Sequence, residues 1–197
     1  IEQITSAAGH FHEVKRLKET EVKSLLLLTR WLNERNGDGD LDNAILAGEK
    51  ALKIWNQKKS SLTSEIYSEL ALLYSRTDQA EKAVNARRRA IDIAKLSYGE
   101  KNLDYARMLH KFSVNLQAED NIPDALRYVN ESIEIFCENN DTLTTEFANI
   151  LHSASIYYRF QEEYEQQARC LSRALHAIKS SLGKNSDLYL AYNAELM

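Results

Sequence analysis

Apolar residues recur three and four positions apart in stretch after stretch of this chain. In Ser64–Arg76, SEIYSELALLYSR, they fall at Ile66, Tyr67, Leu70, Ala71, Leu73 and Tyr74. The same spacing returns in Ala106–Ala118 and Ala148–Phe160. It predicts amphipathic helices, here called A helices. Each is followed by a second helical pattern, a B helix, and four of these align: Leu41–Ile54, Ala80–Ile93, Ile122–Ile135 and Tyr164–Ala177. Small residues recur in the B helices at Ala51, Ala90, Ser132 and Ala174, in steps of 39, 42 and 42 residues. Seven residues earlier come Ala44, Ala83 and Ala125, with Gln167 breaking the series. Seven residues are nearly two helical turns, so each pair of small residues makes a strip where another helix approaches closely. Gly99 and Gly183, two repeats apart, close helices by accepting left-handed backbone, and Asn139–Asn140 stand in for them in the copy between. Pro123 falls in the first turn of its B helix, where a missing N–H costs little.

One helix pair cannot bury its apolar stripe alone, whereas stacked pairs share a continuous core. The chain is therefore expected to be all-α, a solenoid of about four helix-turn-helix repeats plus flanking helices. The expected bounds are 20–61, 62–102, 103–144 and 145–186, with 187–197 the start of a further helix and 1–19 an N-terminal helical segment or the remnant of a preceding repeat. The first copy, SLLLLTRWLNERNGDGD at Ser24–Asp40, fits only with a longer A helix or an expanded loop.

Composition agrees. One Pro and six Gly stand against roughly 10 and 14 at average usage, too few for the turns of an all-β fold. The net charge of −4 argues against nucleic acid as a partner. The run Arg87–Arg89 is read as a solvated helix face. No apolar run approaches the ~18 residues of a membrane span, so membrane insertion is not expected. Cys137 and Cys170 are expected as buried free thiols in a reducing, cytoplasmic setting. The absence of an initial Met suggests a piece of a longer protein.

The stretch DGDLDNAILAGE, Asp38–Glu49, places acidic residues at positions one, three, five and twelve of a calcium loop. The repeat register contradicts that reading. It puts Asp42 and Glu49 on one B helix, about 10 Å apart along its axis, and leaves Asp40 or Asp42 as a helix cap. Phosphate-cradling glycine loops, CxxC, HExxH and GxSxG are absent from the sequence. His10 and His12, two apart, face different sides of a helix. His110 and His152 hold the same place in consecutive A helices, which neighbour each other at ~8–10 Å, too wide for a shared metal unless the side chains lean together. No catalytic, metal or cofactor site is expected.

The helix pairs resemble tetratricopeptide repeats, through the small residues Ala71, Ala83 and Ala90 in one copy and Ser113, Ala125 and Ser132 in the next. The 42-residue step and YGEKNLDYARML, Tyr98–Leu109, are similar to the longer subtype of kinesin light chains. The resemblance implies an α-α superhelix and a non-enzymatic scaffold or adaptor. Its A helices would line a groove for a linear peptide, in that subtype often an acidic one carrying an aromatic. The outward A-helix positions Glu65, Ser68, Ser75, Arg107, His110, Gln117, Asn149, His152 and Arg159 are the candidate groove residues, with Leu72, Val114 and Ile156 among them. Two other functions fit the same pattern: a regulatory or substrate-docking part of a larger enzyme, and a calcium-responsive repeat protein. Self-association through an uncapped array end is also expected.

Overall fold

The computed structural model describes residues 2–55 and 59–196, with side chains from residue 13 onward; His10 and His12 lie outside the described side chains. Among the described residues the chain is helical and has no strands. The helices are α1 (Glu2–Arg35), α2 (Asp40–Ile54), α3 (Ser61–Arg76), α4 (Ala80–Tyr98), α5 (Leu103–Ala118), α6 (Ile122–Glu138), α7 (Thr145–Phe160), α8 (Tyr164–Ser181) and α9 (Asp187–Leu196). Odd-numbered helices are A helices and even-numbered ones B helices. Two compact units divide between Ser97 and Tyr98. No helix among the described residues is long and apolar enough to cross a membrane.

The period is written into the caps and turns. A helices α3, α5, α7 and α9 begin 42 residues apart. A hydroxyl or amide oxygen caps each: Ser60 accepts from the Thr63 N–H, Asn102 from Asp104, Thr144 from Phe147 and Ser186 from Tyr189. These caps satisfy N–H groups that have no partner inside the helix. Each A-to-B turn holds one non-glycine residue with positive φ, again 42 apart: Asn36 (49°), Asp78 (56°), Asp120 (59°) and Glu162 (61°). At B-helix ends the left-handed residue is Gly99, Asn140 or Gly183, as the sequence suggests.

This frame explains the irregular first copy. Between the left-handed Asn36 and the packing residue Ala44 lie three more residues than between Asp78 and Ala83. The packing face of α2 nonetheless keeps its place, with Ala44 and Ala51 fully buried. Residues 2–19 are helical and continuous with the first A helix: α1 is one 34-residue helix.

In the first unit the core gathers Val22, Leu26, Ala44, Ala51, Ile66, Leu70, Leu73 and Ala83. In the second, Phe112, Leu116, Val129, Phe136, Phe147, Leu151, Leu171 and Ile178 are buried. The Phe136 and Phe147 rings stack at 5.8 Å. The strips of small residues serve as expected and also carry hydrogen bonds. Ser64 Oγ of α3 donates to the Ala90 carbonyl of α4 at 2.7 Å. One repeat later the roles reverse, and Ser132 Oγ of α6 donates to the Ala106 carbonyl of α5 at 2.8 Å. A hydroxyl on either side of the crossing reaches a backbone oxygen because no larger side chain holds the helices apart.

Two expectations are corrected. Arg87 is buried and not part of a solvated face, because its repeat position is the inward one held by Gly48, Val129 and Leu171 in the other B helices. Cys137 is exposed; Arg173 Nη2 donates to its Sγ at 3.2 Å, while Cys170 is buried and both thiols are free.

Candidate functional site

The outward A-helix positions prove to be in part a ladder between neighbouring A helices. Arg107 of α5 grips Glu146 of α7 with two parallel hydrogen bonds, Nε to Oε1 at 2.7 Å and Nη2 to Oε2 at 2.8 Å. Its Nη1 reaches Asp104 on its own helix at 2.7 Å. The hydrogen bonds it donates to Glu146 and then to Asp104 raise the guanidinium pKa further. His110 Nε2 lies 2.9 Å from Ser153 Oγ of α7. The next step repeats the device. His152 Nε2 lies 3.0 Å from Glu195 of α9 and its ring stacks on Tyr192 at 4.0 Å, while the Tyr192 hydroxyl donates to Asn149 Oδ1 at 3.0 Å. In the first unit Glu65 does the same work with Arg30 of α1, at 3.0 Å, and Arg30 also donates to Glu69 at 2.7 Å. Burial works against the Arg30 charge, but Glu69 and Glu65 more than offset it and raise its pKa.

Five of the nine candidates, Glu65, Arg107, His110, Asn149 and His152, are thus engaged with the neighbouring A helix. His110 and His152 reach forward to different partners and not toward each other. Ser68 is corrected: it is fully buried, a side chain too short to reach past its neighbours to the surface. Ser75, Gln117 and Arg159, one register position further on, remain on the surface, half-buried, half-buried and exposed. Val114 is exposed and Leu72 and Ile156 half-buried beside them. The sequence reading missed the partners Arg30, Glu69, Glu146, Ser153, Tyr192 and Glu195. A signal was present: the α5–α7 and α7–α9 pairs are offset by 39 or 43 residues, one repeat less or more a few positions, with complementary chemistry at the two ends.

His110 makes the ladder pH-sensitive. Burial lowers its pKa and the Glu146 charge only partly opposes this. Folding therefore disfavours the protonated ring. Below the ordinary histidine pKa of about 6.5 the unfolded chain binds a proton that the folded chain resists, so this contribution is full at pH 7.5 and is lost as pH falls. Thermal melts from pH 7.5 to 5.5 should show wild type losing stability relative to His110→Gln. Parallel curves would show that the ring does not titrate this way.

The former calcium-like stretch is a loop followed by a helix. Gly39, with φ of 71° and no side chain to cap with, stands at the N-cap of α2. This corrects the expectation that Asp40 or Asp42 caps the helix. Asp40 is buried at the first position of α2, where it accepts from the Arg35 guanidinium and from the Gly37 N–H at 2.7 Å. The Arg35 hydrogen bond holds its carboxyl below the usual carboxylate range. Glu49, on α2, accepts from the Tyr74 hydroxyl at 2.7 Å.

Stacked helix pairs with one repeat of caps, turns and inter-helix bonds define a helical-repeat protein. Residues 62–138 match the family model described as tetratricopeptide repeat, so the repeats of that stretch are of the tetratricopeptide class, generally non-catalytic modules of protein–protein interaction. The chain is similar to the clustered mitochondria protein homologs of Aspergillus niger (22% identical over 128 residues, 62% of this chain and 10% of the relative) and Emericella nidulans (24% over 128 residues, 62% and 10%). It spans about a tenth of the length of the curated relatives it matches. Among solved structures it resembles BtubC (BKLC) from P. vanneervenii, with a TM-score of 0.69, 21% identity and coverage of 99% of this chain and 80% of that one. It also resembles MamA protein, with a TM-score of 0.57, 17% identity and coverage of 89% and 83%. These two likenesses show the all-α helical-repeat fold.

Proposed function

We propose that the chain acts as an adaptor or scaffold that holds a linear segment of a partner protein against the face of α5 and α7 carrying Val114, Gln117, Ile156 and Arg159. The observation that supports this is what the ladder leaves over. Arg107, His110, Asn149 and His152 are committed to neighbouring helices. Among the described residues Gln117 and Arg159 make no side-chain hydrogen bond or ion pair, and Val114 and Ile156 place an apolar pair 42 residues apart on the same surface. Such a pair takes aliphatic or aromatic side chains. The Gln117 amide suits a peptide backbone, and Arg159 suits a carboxylate gripped by two hydrogen bonds. Preference for an acidic peptide thus rests on Arg159, since Arg107 already holds two carboxylates of its own. The free thiols support an intracellular location.

Peptides selected from a random display library on wild-type protein test this. Ile156→Glu combined with Arg159→Glu should weaken the selected peptides at least about tenfold, a loss of about 1.4 kcal/mol, with unchanged circular dichroism. Equal affinity for the double variant would remove this face from the site.

A further inference from the structure

Six residues of α1, Val14, Leu17, Glu21, Ser24, Leu28 and Trp31, are all exposed and lie 3, 4, 3, 4 and 3 residues apart. That is the spacing of a seam on which another helix packs. The A helices α3 and α7 do not leave this face open. One repeat on, Ser24, Leu28 and Trp31 correspond to Ile66, Leu70 and Leu73 of α3, which are 0%, 1% and 1% exposed. There α2 covers the face: a Cβ built on Gly48 would meet Leu70 at 2.8 Å, and Tyr74 is bonded to Glu49. Three repeats on they correspond to Ile150, Ala154 and Tyr157 of α7, all buried. In α1, Leu28 is 42% and Trp31 51% exposed, with Leu27 beside them at 63%. The first A helix presents the surface that this fold buries elsewhere.

We infer that a second copy of the chain covers it, its own α1 lying antiparallel across the first. The seam reads the same from either end: two apolar residues, two polar ones, two apolar ones, about a centre between Val22 and Lys23. Antiparallel pairing about that centre sets Val14 against the second copy's Trp31, Leu17 against its Leu28 and Glu21 against its Ser24. Parallel pairing would instead place Glu21 against Glu21, two like charges inside a seam losing its water, an arrangement with no compensating partner. The seam runs about 26 Å at 1.5 Å per residue. The contact is self-complementary and closes on itself as a two-fold dimer, the commonest form of oligomer. It lies on a different helix from the proposed partner face, so either can fail alone.

Sedimentation equilibrium of wild type across the micromolar range should show the mass rising from 22.6 kDa toward twice that value. Leu28→Glu with Trp31→Glu should stay monomeric with an unchanged helical spectrum, both positions being exposed. Orientation is read by oxidative cross-linking in a Cys137→Ser background. Leu17→Cys mixed with Leu28→Cys should form a covalent heterodimer, and neither alone should cross-link. A wild type that stays at 22.6 kDa at every concentration overturns the dimer. So does a dimer that survives the double glutamate variant, whatever then covers α1. Leu17→Cys cross-linking to itself overturns the antiparallel arrangement.

Discussion

Replacing Phe136 by alanine lowers the unfolding free energy by about 3–5 kcal/mol. Phe136 ends the apolar stripe of α6, is 0% exposed, and stacks on Phe147 of α7 at 5.8 Å with 26° between the ring planes. Arg173 of α8 lies over the other ring at 5.4 Å. The substitution removes the ring's burial, its aromatic pairing and its van der Waals contacts together. Helices held by rings on both sides cannot close the gap without breaking the ladder from α5 to α7. At about 2–4 °C per kcal/mol for a chain of this size, the melting temperature should fall by about 6–20 °C. Solenoids can unfold in parts, so the effect should concentrate in the transition that contains α6 to α8, followed by hydrogen exchange of their amides. A loss below about 1 kcal/mol, within the range of an ordinary surface change, would mean that α6 and α7 are held by something other than this contact.

The second large effect is a pair of substitutions that should compensate each other. Leu70 of α3 is 1% exposed, and its Cδ2 would lie 2.8 Å from a Cβ placed on Gly48 of α2. Leu70→Ala alone should cost about 2–5 kcal/mol through lost transfer energy and the cavity left behind. Gly48→Ala alone forces the new methyl against Leu70 and should cost about 1–3 kcal/mol, less about 1 kcal/mol returned by the better helix former. In the double variant the clash is gone and the methyl enters the space Leu70 vacates. The double variant should therefore be more stable than the sum of the two singles by about 1–3 kcal/mol, as expected of residues in contact. Denaturant titration of the four proteins measures this. Strict additivity would show that α2 and α3 do not meet at this point.

Much of the architecture was legible in advance because its cause is local. A helix of 3.6 residues per turn needs its apolar and small residues at fixed intervals, so Ala44, Ala83, Ala125 and the later small residues announce both the helices and their packing strips. Gly99 and Gly183 announce helix ends for the same reason, since few residues adopt left-handed backbone cheaply. The groove candidates were legible only as positions. A helical wheel says that Arg107 and Arg159 both point away from the core. It does not say that Glu146 on the next helix neutralises one and that nothing among the described residues pairs with the other.

By itself the sequence determined a stack of helix pairs, their 42-residue period and the residues between them, because those follow from periodicity within single helices and from repetition. Only the tertiary structure decided how the outward residues are used. It drew His110 to Ser153, His152 to Glu195 and Asp40 to Arg35, sank Arg87 and Ser68 into the interior, and left the seam of α1 bare. Those outcomes depend on which side chains meet across two helices, a distance that spacing along one helix does not contain.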